Sequence, residues 1–211
     1  IDKCGKRIGI LAYNWIGLED DNKAHNYIAA VCDGIVNYTW NRNKNRDIIA
    51  RGNIKYKNSV VIKDIKRLRD FVDLVILMPH WGFEWMIYPP YGVILEAREF
   101  IDNGVDIIIG NHSHVPQGIE VYHDKLICYS LGNFLFDSII NYFRYGMIID
   151  CIISSNSTPH YKMIFTDRDR LFRPYRAPEK DQIYNTQLIK KSTDAILSSD
   201  KHKFKKLNLF T

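Results

Sequence analysis

The feature that most constrains the fold is an alternation of two hydrophobic patterns between residues 61 and 110. "VIKDIKRLRDFV" carries apolar residues at helical spacing, and "DLVILMPHW" follows as a near-continuous apolar run typical of a buried strand. "YGVILEAREFIDNG" then predicts a second helix that ends near Gly104, and "VDIIIG" predicts a second buried strand. This order of elements predicts parallel strands joined by right-handed crossovers.

The segments on either side extend this α/β (α+β) pattern. "RIGILAYN" predicts a strand, residues 22–37 are ambiguous with a helix as one interpretation, and residues 41–58 predict a solvated basic loop. After residue 117, "GIEVY", "LICYSLGNF", "YGMIIDCII" and "YKMIFT" predict short strands that are mostly antiparallel. "DQIYNTQLIKKSTDAILSS" predicts a helix, and a basic tail follows it.

Composition narrows the class of protein. Hydrophobic residues make up 46% and charged residues 25%, which is typical of a globular chain. The net charge of +5 allows an anionic partner, while zinc-finger spacing, an RNA-binding aromatic motif and a long basic stripe are all absent from the sequence, so we expect no nucleic-acid partner. The four cysteines form no CxxC pair. The chain begins at Ile1, and we expect it to be truncated at its N-terminus.

Three histidines stand where the predicted strands end. His80 follows the first buried strand, and His112 and His114 follow the second. Ligands of open α/β sheets bind beyond the carboxyl ends of strands, and on extended backbone residues i and i+2 point the same way. Imidazole is a good ligand for Zn, Mn, Fe, Co and Ni. The placement therefore predicts a metal site formed by these three residues.

Each of these residues also has a plainer interpretation. His80 fits equally a loop histidine bonded to backbone, and His112 and His114 fit surface positions. Glu84 could orient His80 or be an ordinary exposed glutamate, and Asn133 could support the site or serve a Gly-Asn turn. The remaining histidines are expected to be structural or exposed: His25, His123, His160 and His202.

Two segments together resemble a known family. "HWGFEW" and "AREFIDNGVDIIIGNHSHVPQGIEVYHDKLICYSLGNFLFD" are similar to the bacterial CapA family of capsule-synthesis or poly-γ-glutamate biosynthesis proteins. Members read HWGxEY, then a block containing GxHPHVxQxxE, then one containing YSLGNFxFD. Ser113 stands where Pro is usual and Trp85 where Tyr is usual, and neither change removes a histidine.

The resemblance implies a fold and a cofactor. The family fold is similar to the calcineurin-like metallophosphoesterases, a β-sandwich flanked by helices with a dinuclear metal site at its strand ends. It implies that His80, His112 and His114 are ligands of divalent ions such as Mn, Fe or Zn. The Gly-Asp, Asn-Leu-Glu and Asn-Asn-His motifs of the family's N-terminal half are not found, so we expect that part of the fold to be missing. Residues 1–175 would form the CapA-like domain, and residues 176–211 a C-terminal helix and tail.

Three functional interpretations follow from the resemblance. The first is a metal-dependent hydrolase or transferase of an anionic polymer, poly-γ-glutamate or a capsule component. The second is a non-catalytic binding or scaffolding subunit of a polymer synthase or export complex, and the third is a fragment with neither property. The resemblance also implies a place at the cell envelope or membrane. If the partner is such a polymer, six basic residues could steer it: Arg42, Lys44, Arg46, Arg51, Lys55 and Lys57.

Overall fold

The computed structural model describes residues 2–3, 6–14, 29–30, 35–36, 54–137, 144–152 and 160–198. Within these ranges the chain forms two sheets and three helices. The helices are α1 (Ile54–Arg69), α2 (Tyr91–Asp102) and α3 (Glu179–Leu197). The mixed α/β class with sheets flanked by helices is therefore confirmed.

The larger sheet has eight strands, in the order β4-β3-β2-β5-β6-β8-β7 with β1 paired to β2. Its strands are β1 (Asp2–Lys3), β2 (Lys6–Asn14), β3 (Ala29–Ala30), β4 (Ile35–Val36), β5 (Leu74–His80), β6 (Ile107–Ile109), β7 (Ile119–Tyr122) and β8 (Lys125–Cys128). The smaller, antiparallel sheet runs β11-β10-β9, with β9 (Gly146–Ile152), β10 (His160–Arg168) and β11 (Pro174–Arg176).

The centre of the larger sheet is parallel, and the alternating pattern predicted one of its pairs, that of β5 with β6. β2 pairs with β5, β5 with β6, and β6 with β8, all in parallel. The crossover through α2 places the ends of β5 and β6 side by side, and a bridge between His80 and Asn111 continues the ladder past the end of β6. Consequently the segments that carry the candidate histidines leave the sheet at the same edge.

The pairing of β8 was not foreseen. β7 and β8 form the expected antiparallel hairpin, but the other edge of β8 pairs in parallel with β6. A hairpin turn fixes only the register between its own two strands, so the sequence did not show which strand the hairpin would join.

Two hydrophobic clusters fill the interior. One packs α1 and α2 against the larger sheet, with Ile65, Leu77, Phe100 and Ile108 almost fully buried. The other joins residues from both sheets: Ile107, Ile119, Leu126, Cys128, Met147 and Phe165, with Ala177 and Ile189. α3 contributes Ile196 to the first cluster as well as Ile189 to the second. The proposed boundary at residue 175 stays a prediction.

Two sequence interpretations differ from the structure. The interval 22–37 contains the short strands Ala29–Ala30 and Ile35–Val36 where a helix was considered, because β-branched Ile35 and Val36 favour extended backbone; its other residues lie outside the described ranges. The basic stretch 41–58 was expected to be a loop, yet α1 already begins at Ile54. Residues 41–53 and the basic tail lie outside the described ranges, so polymer steering stays a prediction. No helix that the structure describes is long and apolar enough to cross a membrane.

Candidate metal centre

The first component of the site is a pair of histidine rings at the shared edge of the sheet. His80 is the last residue of β5, and His112 follows β6. His80 Nε2 lies 3.1 Å from His112 Nδ1, and the ring centroids are 4.7 Å apart. Two imidazole nitrogens at this distance need a hydrogen or a cation between them, because two bare lone pairs would repel each other.

The third histidine is held by a side-chain amide. His114 lies with its ring centroid 6.3 Å from that of His112. Its Nδ1 is 2.9 Å from Oδ1 of the buried Asn133, and the Phe136 ring lies 4.7 Å away. Because the amide oxygen only accepts, His114 donates through Nδ1, and Nε2 is the ring atom that can bind a ligand. The contact agrees with the interpretation that Asn133 supports the site, because its amide oxygen orients the His114 ring.

The backbone that presents these rings is a turn, and the extended-backbone argument for His-x-His was wrong. His112 has φ 101° and His114 has φ 59°, both in the left-handed region. Non-glycine residues in that region are costly and persist only where their surroundings hold them. Here Trp85, itself at φ 64°, donates its backbone N–H to the Ser113 carbonyl at 2.7 Å, and the Ser113 hydroxyl donates to the Val115 carbonyl at 2.7 Å.

Gly110 is required at the end of β6 by close packing. A Cβ there would lie 2.0 Å from the Tyr129 carbonyl oxygen and 2.6 Å from Trp81 Nε1. The Trp81 indole donates to that same carbonyl at 3.0 Å. The Trp81 backbone N–H also donates to the Asn111 carbonyl at 3.2 Å, so the segments after β5 and β6 are joined from their first residues.

Burial keeps two of the rings neutral near pH 7. The pKa of His112 is lowered to about 4, first by burial and then by the neighbouring His80 and His114, because a second positive charge would be repelled. Burial, followed by the charge of His114, also lowers the pKa of His80. Neutral imidazole is the form that binds metal ions.

The donor set fits a metal ion in part. Two nitrogen ligands with bonds of about 2.0–2.1 Å at a tetrahedral ion stand about 3.3 Å apart, close to the observed His80–His112 spacing. As the side chains lie, no group of three or more His, Cys, Asp or Glu residues within the described ranges has an arrangement that could hold an ion. His114 would have to move for the three rings to share one, and their role as ligands stays a prediction.

Other sequence candidates lie apart from this cluster. The Glu84 side chain is exposed and makes no hydrogen bond or ion pair with any residue that the structure describes, which agrees with an ordinary surface glutamate. His123 lies in the β7–β8 turn, 69% exposed, with Nδ1 3.1 Å from Asp102 Oδ1. His160 is exposed on β10, and His25 and His202 lie outside the described ranges.

The sequence reasoning missed two supporting residues. The Gln117 side-chain amide donates to the Met86 carbonyl at 2.8 Å, and the Ser192 hydroxyl of α3 donates to the Ile87 carbonyl at 3.2 Å. For Ser192 the sequence did contain a signal, which is its helical spacing. It falls on the buried face of α3 together with Asn185, Ile189, Ala195 and Ile196.

The fold and the histidine cluster define the class, an α/β protein with a candidate metal centre at the carboxyl ends of neighbouring parallel strands. The family model described as "Bacterial capsule synthesis protein PGA_cap" matches residues 1–138. The chain belongs to this family, which confirms the resemblance inferred from the His80–Asp137 segment.

Curated relatives carry names that agree with the family. The chain is 39% identical over 90 residues to "Capsule biosynthesis protein CapA" of Bacillus anthracis, covering 41% of this chain and 22% of that protein. It is 32% identical over 135 residues to "PGA biosynthesis protein CapA" of Bacillus subtilis, covering 64% of this chain and 35% of that protein. A "Probable polyglutamine synthesis accessory protein" of Mycobacterium tuberculosis is 37% identical over 65 residues, covering 31% of this chain and 17% of that protein. The chain thus matches about a third or less of each of these relatives.

Proposed function

We propose that the chain acts in the synthesis of an anionic capsule polymer of the poly-glutamate type, and that His80, His112 and His114 bind a divalent metal ion. The main observation in support of the metal site is the distance of 3.1 Å between His80 Nε2 and His112 Nδ1, which lie at the ends of two neighbouring strands. The family and the names of its relatives support the polymer. Mn, Fe and Zn all suit imidazole ligands.

Each side chain has a distinct task in this proposal. His80 and His112 supply two nitrogen donors that burial holds neutral, and His114 supplies Nε2 while Asn133 fixes its Nδ1–H. Three protein nitrogens leave positions open for a water molecule and a substrate oxygen. A bound divalent ion would supply Lewis acidity, which favours metal-assisted hydrolysis or transfer as the reaction class.

A binding or scaffolding subunit without turnover is the second candidate. It is favoured by the position of Glu84, whose exposed carboxylate does not contact the histidines. The name of the Mycobacterium tuberculosis relative, an accessory protein, points the same way. In this case the site would recognise the polymer or hold a synthase subunit, and the metal would be structural.

Metal analysis of histidine variants tests the site. We expect His112→Ala and His114→Ala to lose most of the metal retained after dialysis, because each removes a nitrogen donor. His123→Ala is the matched control, since that exposed ring lies in the β7–β8 turn. The measurement is metal content per folded chain for the product of the complete gene. Equal content in all three variants would contradict the assignment.

Turnover separates the two candidates. Metal-loaded wild type and His112→Ala are incubated with poly-γ-glutamate and with a model phosphoester, while polymer binding is followed in parallel. A hydrolase cleaves one of these substrates and loses that activity in the variant. A scaffolding subunit binds the polymer with no product from either substrate.

A further inference from the structure

The C-terminal helix contacts both segments that carry the candidate histidines. Loop A, residues 81–90, follows His80, and loop B, residues 110–118, contains His112 and His114. Backbone hydrogen bonds already join the loops, from Trp81 to Asn111 and from Trp85 to Ser113. α3 adds a connection from a part of the chain beyond the residues that match the family.

That connection is centred on the hydroxyl of Ser192. The Gly118 backbone N–H donates to Ser192 Oγ at 3.0 Å, and Oγ–H donates to the Ile87 carbonyl at 3.2 Å. The side chain is completely buried, so water cannot take either place. One hydroxyl therefore joins the end of loop B to loop A and uses both its donor and its acceptor capacity.

The last residue of loop B, Gly118, allows the close approach of α3 because it has no side chain. A Cβ at Gly118 would lie 2.6 Å from Ile196 Cδ1 and 2.8 Å from the Thr193 backbone nitrogen, so no larger residue fits. The next hydrogen bond runs from the Ile119 N–H to Thr193 Oγ1 at 3.0 Å. Two successive helix residues thus bond two successive N–H groups of the chain that leaves the candidate site.

Loop A is held at two successive carbonyls. Gln117 of loop B donates to the Met86 carbonyl, and Ser192 donates to that of Ile87. Both side chains are buried, with Gln117 at 3% and Ser192 at 0% exposure. Since Trp85 directly precedes Met86 and bonds the Ser113 carbonyl, a shift of residues 86–87 is transmitted to the backbone between His112 and His114.

We infer that Ser192 is a positioning residue for the histidine cluster, and that α3 fixes the spacing of loops A and B on which that cluster depends. The inference rests on the proposed function for its link to metal binding. The positioning itself concerns only this chain, so it can be measured on the imidazole rings with no metal present.

The decisive variant is Ser192→Ala, which leaves the Gly118 N–H and the Ile87 carbonyl without their buried partner. Ile189→Val is the matched control, because Ile189 is a buried residue of the same helix that packs in the second cluster. Ser198→Ala controls for serine removal, since that hydroxyl bonds only the Ala195 carbonyl of its own helix among the described residues.

Two readouts separate positioning from general destabilisation. In metal-free protein, Ser192→Ala is expected to move the ring ¹⁵N resonances of His112 and His114 and to speed amide exchange at Trp85, whereas Ile189→Val lowers the unfolding midpoint and leaves those rings unchanged. In a ZnCl₂ titration, Ser192→Ala is expected to bind about tenfold more weakly, the lower end of the range for groups that orient ligands.

Unchanged ring resonances and unchanged Trp85 exchange in folded Ser192→Ala overturn the inference. If wild type binds no Zn²⁺, the metal proposal fails, while the ring resonances still decide the positioning role. Should Ser192→Ala not fold, Thr193→Val provides the test, because it removes the acceptor for the Ile119 N–H with little change of shape. The same resonances are expected to move by a smaller amount, and their constancy overturns the inference.

Discussion

At the amino ends of β5, β6 and β8 the buried polar group is an acid whose charge is matched within the protein. Asp106, only 5% exposed, precedes β6 and forms ion pairs with Arg69 of α1 and Lys125 of β8. It also accepts the Val75 backbone N–H at 2.8 Å. A carboxylate with two cations and a backbone donor is satisfied and needs no ligand.

At the carboxyl ends of the same strands stand the buried His112 and the half-buried His80 and His114, which repel one another when charged. The pKa values of His80 and His112 are lowered by burial and by neighbouring histidines. The backbone there is also less relaxed, with Trp85, His112 and His114 at positive φ. His80 and His112, which burial keeps neutral, can accept a cation, whereas Asp106 already pairs with two cations of the protein.

The comparison teaches which polar clusters of this sheet serve the fold and which are available for function. Both clusters contain a buried polar residue, Asp106 or His112, and both join neighbouring strands, so neither feature alone distinguishes them. The two clusters differ in charge balance, because the charge of Asp106 is matched by Arg69 and Lys125 whereas the histidines repel one another when charged. Variants at the amino ends should therefore change stability, and variants at the carboxyl ends should change metal binding and pH dependence.

The largest expected effect is the loss of stability in Asp106→Ala. The change removes two ion pairs and leaves the Val75 N–H unpaired, which should lower the free energy of unfolding by about 2–3 kcal/mol. The value lies below that for fully enclosed pairs because Arg69 and Lys125 are each 39% exposed and regain water. Urea unfolding at neutral pH measures it. A loss of less than about 1 kcal/mol would remove the contrast between the two ends.

Next in size, when counted per pH unit, is a pH dependence that comes from the histidine end. The pKa of His112 in the folded protein, about 4, lies below the unfolded value of about 6.5, so the unfolded chain binds the extra proton between these values. Stability should therefore be complete above about pH 6.5 and fall toward pH 4, by at most about 1.4 kcal/mol per pH unit for this residue.

Unfolding in urea with a chelator, from pH 7 to pH 4, measures that slope. His112→Ala should show a shallower slope than wild type, and His123→Ala serves as the control because its ring is exposed. Equal slopes in wild type and His112→Ala would show that the ring is not buried as a neutral base.

A smaller effect is expected from Asn133→Ala, which frees the His114 ring from its hydrogen bond. Loss of the group that orients a ligand should weaken Zn²⁺ binding about tenfold, equivalent to about 1.4 kcal/mol. Asn103→Ala is the matched control, because that amide donates to the Glu99 carbonyl at the end of α2. Isothermal titration measures both variants, and equal affinities would rule out the orienting role.

The smallest effect should come from Asp73→Asn, also near the amino ends. Arg7 holds the pKa of the Asp73 carboxyl below its usual value, first through a backbone hydrogen bond and then through its side chain. The Arg7 and Asp73 side chains are 58% and 36% exposed, so water and salt replace the lost interaction. The urea midpoint should remain within error of wild type. A shift as large as that of Asp106→Ala would show that an exposed ion pair stabilises this end of the sheet as much as a buried one.

The sequence predicted the parallel β5–β6 pair because two apolar runs alternate with two segments of helical periodicity. It could not predict that β8 would join β6, since pairing between distant strands depends on which edges remain free after the helices pack. The short strands Ala29–Ala30 and Ile35–Val36 were missed for a related reason. Two-residue strands carry too little pattern to outweigh the helical interpretation of residues 22–37.

For the candidate site, the sequence located His80, His112 and His114 correctly at neighbouring strand ends. It misjudged the backbone between the last two, because positive φ at a histidine is set by partners such as the Trp85 N–H, which come from elsewhere in the chain. It left two interpretations of Glu84 open, and the exposed side chain agrees with an ordinary surface glutamate. Asn133 was placed only as a candidate, and its partner became visible in the folded chain.

The parallel pairing also has a consequence for the order of folding. Ile76 pairs with Ile107, a separation of 107 − 76 = 31 residues, whereas Ile8 pairs with Leu74 across 74 − 8 = 66 residues. Closing the longer loop costs about 0.7 kcal/mol more in chain entropy. The β5-α2-β6 unit is therefore expected to form before β2 docks, so both histidine-bearing strand ends meet early and within one short stretch of chain.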